Sequence, residues 1–233
     1  MIRAVIFDFG QTLVDSADAF RAAEKRAQKQ LFETIGHSSW HDFLTTYRKI
    51  RTEFHQNSDF SRKSMWREVC RNCRHDGDEC LLEQWELEYW KTIESETQPF
   101  PESESVLETL STRYALSMVT NTQGQPRTET HRLAAFPQLQ SFFDVVIIAG
   151  EDGIPPKPDP VPFHICLEKT GIRAHEAVYV GDDWRIDICG ARNAGLYPVW
   201  LKHHRVRRNW PDVEETAPVI TDLEQLFDVI PQA

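Results

Sequence analysis

No apolar run in this chain approaches the roughly 20 residues of a membrane span. The first residues also lack the basic start, roughly 7–15-residue apolar segment and small-residue cleavage site of a secretory signal. A soluble, cytoplasmic protein with no membrane partner is the expectation. Excess positive charge is missing too: 26 Lys and Arg stand against 36 Asp and Glu, a formal net charge of −10. A nucleic-acid backbone needs positive potential over a face, so no nucleic-acid partner is expected, although local basic clusters still suit small anions. There is no internal repeat, no low-complexity tract and no disulfide framework, since Cys70, Cys73, Cys80, Cys166 and Cys189 are odd in number and scattered. Cys70, Cys73, His75 and Cys80 are possible zinc ligands without the paired-knuckle spacing. Cys70 and Cys73, three apart on one helical face, serve equally as small core residues.

What is present is enough apolar material for one core carrying a large insert: 233 residues, 40% hydrophobic. Short apolar runs at 4–7, 116–119, 145–149, 177–180 and 198–201, with 219–220 as a short edge strand, are separated by helical patterns. Those patterns cover 102–113, 127–135, 160–170, 187–194 and 222–229, and Gly171 and Gly195 stand where helix-ending glycines belong. Such alternation predicts βαβ units and a parallel sheet. Continuous rather than alternating hydrophobicity suits strands buried on both faces. The first crossover is exceptional, because about ninety residues separate the first strand from the next, far more than one helix needs. From 17 to 98 the chain holds Trp40, Trp66, Trp85 and Trp90, two glycines and no proline, which reads as a helical bundle. An Asp15-Ser16 turn and the prolines of 98–101 bound it as two connections able to hinge. The expected fold is α/β, a Rossmann-like parallel-sheet core of residues 1–15 and 99–233 with an inserted α-helical cap at 16–98.

Four stretches at the ends of strand-like runs carry the chemistry: Phe7-Asp8-Phe9-Gly10-Gln11-Thr12, Val119-Thr120-Asn121, Pro156-Lys157-Pro158-Asp159 and Gly181-Asp182-Asp183-Trp184-Arg185-Ile186-Asp187. They supply a nucleophile, a hydroxyl, a cation and an acid cluster. Ligands of open α/β sheets bind outside the carboxyl ends of the strands, where residues distant in sequence converge. Singly each stretch has a plain explanation: Asp182 and Asp183 as turn residues, Asp187 as a helix cap, Lys157 as a loop cation. Together, in this order and at strand ends, they point to an active site.

With those residues the chain resembles, over its whole length, the haloacid dehalogenase superfamily of hydrolases, in the subgroup with a helical cap inserted after the first strand. That family's first motif, Asp-x-Asp-x-Thr, is met by Asp8 and Thr12 but not at Gly10, and Thr120, Lys157 and Gly181 to Asp187 fit the other three. The resemblance implies a magnesium-dependent hydrolase, a phosphatase acting on a small phosphorylated metabolite through an aspartyl-phosphate. Positioning and charge neutralisation do most of the work in such phosphoryl transfer. Asp8 is then the nucleophile and Lys157 the cation that offsets its repulsion from the phosphoryl group, whose oxygens Thr120 and Asn121 help to bind. Mg2+ would take Asp8, the carbonyl of Gly10 and Asp182. Asp187 is placed to orient Lys157 or a metal-bound water, and Asp183 to do either task.

Gly10 departs from that pattern. The resembled phosphatases carry there an aspartate that protonates the leaving oxygen, a contribution of about 10²–10⁴-fold that glycine cannot make. The acid then comes from elsewhere, a cap histidine for example, or the leaving groups need none. Two other readings follow: a phosphonate or haloacid hydrolase, whose relatives also lack that aspartate, and a non-catalytic phosphate-ligand or partner-binding member. Asp15 reads as a turn residue leading into a helix. Arg48, Lys49, Arg51, Arg62, Lys63 and Arg67 read as a solvated helical face, and His203-His204 beside 205–208 as an exposed loop.

Overall fold

Strand β1 (Ala4–Phe7) is buried at every residue because both faces of its sheet are covered. Val5 and Phe7 enter one hydrophobic cluster, and Ala4 and Ile6 the other. The computed structural model describes residues 1–122, 132–207, 209–214 and 216–231. Past β1 come β2 (Val14–Asp15), β3 (Gln98–Pro99), β4 (Ala115–Asn121), β5 (Val145–Ala149), β6 (Ala177–Gly181), β7 (Tyr197–Leu201) and β8 (Val219–Ile220). Among the described residues six of these form one parallel sheet in the order β5-β4-β1-β6-β7-β8, with β8 on the edge as expected. Counted along the chain, that is the doubly wound order in which the strands reverse direction of progress beside the first. The switch point lies between β1 and β6, and the ends of both carry acids.

The helices are α1 (Ala17–Ile35), α2 (Trp40–Gln56), α3 (Arg62–Asn72), α4 (Glu79–Glu96), α5 (Ser103–Ser111), α6 (Pro137–Gln140), α7 (Val161–Thr170), α8 (Gly190–Asn193) and α9 (Leu226–Val229). None among the described residues is long and apolar enough to cross a membrane. Three differences from the sequence pattern matter. Strand β4 runs to Asn121, which puts Thr120 and Asn121 at its carboxyl end. The helix expected at 187–194 begins at Trp184, as a π-helical turn in which the Ile188 N–H donates to the Asp183 carbonyl five residues back at 3.2 Å. Of the helix expected at 127–135, residues 127–131 lie outside the described residues, and Arg132–Ala135 form a single 3-10 turn. Gly171 ends α7 in the left-handed conformation at φ 65°, where a side chain would be strained.

The chain divides into two compact units, Met1–Ala17, Gln98–Thr122 and the described residues from 132 onward in one, and Asp18–Thr97 in the other. In the first, β2 and β3 pair antiparallel, so the two chain connections at 14–15 and 98–99 are tied side by side. In the second, α1 to α4 close over a core that includes Leu31, Phe43, Tyr47, Trp66, Trp85 and Trp90. Cys70 lies within this core and Cys73 against it, and burial raises both thiol pKa values. They behave as core residues.

The basic stretch of this unit is not one solvated face. Lys49, Arg51, Lys63 and Arg67 pair with Glu53, Glu24, Glu83 and Glu79, whereas Arg62 is turned inward and is 3% exposed. Its guanidinium donates to the Tyr89 hydroxyl at 3.0 Å and the Phe60 carbonyl at 3.2 Å, and Tyr89 in turn donates to Glu24 at 3.3 Å. A buried cation is tolerated only when partnered in this way. Arg62→Met would leave the Tyr89 hydroxyl and the Phe60 carbonyl without their buried donor, while Glu24 keeps Arg51, and lower stability by about 1–3 kcal/mol. Urea unfolding followed by tryptophan fluorescence would show it as an earlier midpoint.

Candidate active site

The parallel register carries the ends of β1, β4 and β6 to one edge of the sheet, with Phe7 level with Met118 and Val180. Asp8, the first residue past β1, is fixed there by its own N–H, which donates to the Val180 carbonyl at 2.9 Å. Thr120 is buried at the end of β4, and Gly181 ends β6 with Asp182 buried beyond it. Gly181 has a steric reason: a Cβ built on it would lie 2.5 Å from Cβ and Cγ of Asp187. Only glycine lets the first turn after Asp183 fold back so closely on the strand. Asp183 caps that turn, its Oδ1 accepting the Ile186 N–H at 2.8 Å, while its own N–H donates to Asp187 Oδ2 at 2.9 Å.

Lys157 reaches the same edge from the loop before α7 because Asn121 clamps its backbone. The Lys157 N–H donates to Asn121 Oδ1 at 2.8 Å and Asn121 Nδ2 donates to the Lys157 carbonyl at 3.1 Å. The ammonium then uses its three donors on Asp8 Oδ1 at 2.8 Å, Asp187 Oδ1 at 2.7 Å and the Tyr179 hydroxyl at 2.6 Å. Burial alone would depress this lysine's pKa, but the charges of Asp187 and Asp8 outweigh it and hold the ammonium above its ordinary value. Asp187 shows the opposite balance: burial pushes its carboxyl up to about 6 against the pull of Lys157. Tyr179 is raised well above the usual phenol value by burial and by Asp187 and Asp8, so it remains a protonated donor to the Val119 carbonyl at 2.8 Å.

One carboxylate oxygen from each of Asp8, Asp182 and Asp187 lies within 4.8 Å of the others. Both oxygens of Asp187 are engaged, by Lys157 and by the Asp183 N–H. A hard, all-oxygen set of this kind suits magnesium. The arrangement presents a buried carboxylate held by a buried ammonium, beside acids able to carry a divalent cation.

A family model of haloacid dehalogenase-like hydrolases matches residues 2–195. The chain belongs to this family. It is 28% identical over 208 residues to an N-acylneuraminate-9-phosphatase of Rattus norvegicus, covering 86% of this chain and 82% of that protein. It is also 28% identical over 243 residues to a glyceraldehyde 3-phosphate phosphatase of Pyrococcus furiosus, covering 98% and 93%. Among solved structures it resembles a 2-haloacid dehalogenase from Pseudomonas syringae, with TM-score 0.66, 26% identity and 98% of each chain covered.

Within this hydrolase the structure adds a role to one expected residue and corrects the reading of another. Asn121, expected on the substrate, spends both ends of its amide on the Lys157 backbone and so positions the cation. His203, expected in an exposed loop, is buried, stacked on Phe100 with centroids 3.6 Å apart and bonded through Nε2 to Glu102 at 2.7 Å. An aromatic face and a carboxylate draw it inward, while His204, Arg205 and Arg207 stay exposed. Asp15 keeps the turn role, its Oδ1 accepting the Ala17 N–H at 3.1 Å.

Two residues beside the site escaped the motif reading. Tyr179 reads as one more strand residue, although a phenol in a strand buried on both faces has to find a partner, and that is its signal. Trp200 Nε1 donates to the Asp182 carbonyl at 2.9 Å, a contact with β7 that no local pattern announces. Tyr179→Phe would leave one Lys157 N–H and the Val119 carbonyl without this partner. The expected cost is about 1–3 kcal/mol, measured by thermal or chemical denaturation.

Proposed function

We propose that this chain is a magnesium-dependent phosphatase of small phosphorylated metabolites, acting in the cytoplasm, with residues 16–98 as its cap. The observation that carries the reading is Asp8, a buried carboxylate held by Lys157 in a cluster with Asp182. Asp8 attacks phosphorus, a bond forms from its carboxylate oxygen, and the bond to the leaving oxygen breaks with its electron pair. Water then hydrolyses the aspartyl-phosphate, so one hard step becomes two easier ones. Lys157 keeps Asp8 oriented and offsets the repulsion between two anions, and Asp187 and Tyr179 keep Lys157 in place. Thr120 offers its hydroxyl to the phosphoryl oxygens. Asp8, the Gly10 carbonyl and Asp182 would hold magnesium, with Asp183 and Asp187 supporting from outside the ligand set. The cation supplies charge neutralisation for the transferring group. The phosphatase names of the two relatives support a phosphorylated small molecule as substrate.

The likeness to a 2-haloacid dehalogenase favours a second reading, hydrolysis of a carbon–halogen bond by the same aspartate. That chemistry has no use for a cation, and the pairing of Asp182 with Asp8 weighs against it. Release of inorganic phosphate from a panel of esters, with magnesium or chelator, decides between them. Expected is turnover that needs magnesium and falls at least about 10³-fold in Asp8→Asn, the scale of losing a nucleophile. Halide release from haloacids that is indifferent to chelator would overturn the phosphatase reading.

A further inference from the structure

Gly10 is not followed by open space. Among the described residues, a Cβ built on it would meet Nη2 of Arg132 at 3.2 Å. Arg132 is 4% exposed, and its guanidinium lies over the Phe9 ring at 5.5 Å from the centroid, within cation–π range. The turn that bears it is pinned on its other side: Leu133 enters the sheet core, the Phe136 N–H donates to the Leu133 carbonyl at 2.8 Å, and the Phe136 ring packs on Phe9 at 5.9 Å. A buried cation is therefore built into the space that a side chain at position 10 would claim, two residues from the nucleophile. It adds a guanidinium to an edge of the sheet where one oxygen from each of Asp8, Asp182 and Asp187 gathers and where the Lys157 ammonium is bonded within the protein.

We propose that Arg132 is a catalytic residue that contacts the phosphate ester where Gly10 leaves room and stabilises the leaving oxygen as an anion. The inference rests on the phosphatase reading. A guanidinium carries a planar fork of donors suited to phosphate and stays charged, but it does not deliver a proton. As the bond from Asp8 to phosphorus forms and the bond to the leaving oxygen breaks, the electron pair stays on that oxygen, facing Arg132, and solvent protonates the product after it departs. The substrate class follows: phosphorylated compounds whose leaving group is stable as an anion, such as acyl, enol or aryl phosphates, ahead of simple alkyl phosphates. Glycine at position 10 and arginine at 132 act as a pair, since a carboxylate at 10 would neutralise the guanidinium.

The test measures kcat/KM across acetyl phosphate and aryl phosphates of graded leaving-group pKa, for the wild type, Arg132→Lys and Arg132→Met, with the affinity for inorganic phosphate by calorimetry. Expected is a steep fall with leaving-group pKa in the wild type and a loss of about 10²-fold in Arg132→Met, largest for the poorest leaving groups. Phosphate binding weakens in parallel, and Arg132→Lys recovers part of both. Arg132→Met with unchanged rate, slope and phosphate affinity overturns the proposal and leaves Arg132 as packing against Phe9. Should the methionine variant not fold, Arg132→Gln takes its place with the same outcomes. A wild type that hydrolyses no ester, yet loses phosphate affinity in Arg132→Met, overturns the phosphatase reading and supports the anion contact.

Discussion

An ammonium inside a protein is expensive, and the Lys157 ammonium is almost completely buried. Its desolvation is offset only because Asp8, Asp187 and Tyr179 converge on it from three directions at hydrogen-bond distance. Each partner comes from a different part of the chain: Asp8 from the end of β1, Tyr179 from within β6 and Asp187 from the turn after it. The lysine itself arrives on a loop gripped by the end of β4 through Asn121. Displacing any of these segments would leave buried charge uncompensated, so the charged cluster and the junction of the central strands stand or fall together.

Gly181 shows how tightly that junction is drawn. The turn bearing Asp187 doubles back on β6 so closely that no side chain fits at the strand's last residue. The π-helical widening at Trp184–Cys189 is what lets the chain pass from Asp183 to Asp187 with both carboxylates engaged, one as a helix cap and one on the lysine. Trp200 adds a second fastening from β7, holding the Asp182 carbonyl while its carboxylate takes part in the acid cluster. Rigid support of this kind keeps a site of opposed charges in one geometry without reorganisation during reaction.

The motif's one departure and its one unexpected neighbour belong to a single arrangement. Position 10 carries no side chain, and the Arg132 guanidinium lies beside the place where one would begin, a local charge that favours an anion. Proton delivery and charge stabilisation are alternative ways to ease a leaving group's departure. The first depends on a titrating group, and the second on a fixed cation near the oxygen.

Strand positions were legible in the sequence because burial on both faces leaves unbroken apolar runs, and the four strand-end stretches because phosphoryl chemistry demands charged residues at such ends. Asp8, Lys157 and Asp182 stand together as that pattern implied, and Asp187 supports Lys157. The grip of Asn121 on the Lys157 backbone was not legible, because a side-chain amide looks the same in the sequence whether it meets a substrate or a neighbouring backbone. The contacts of Tyr179, Trp200 and Arg132, and the burial of His203, were not legible because their partners lie on other elements, at sequence separations where no periodicity survives. By itself the sequence determined the order of strands and helices and the chemical types at the strand ends, since both follow from local burial and spacing. Only the tertiary structure decided which donor meets which acceptor around Lys157, and that a guanidinium fills the place beside Gly10, because those contacts arise when remote segments share one edge of the sheet.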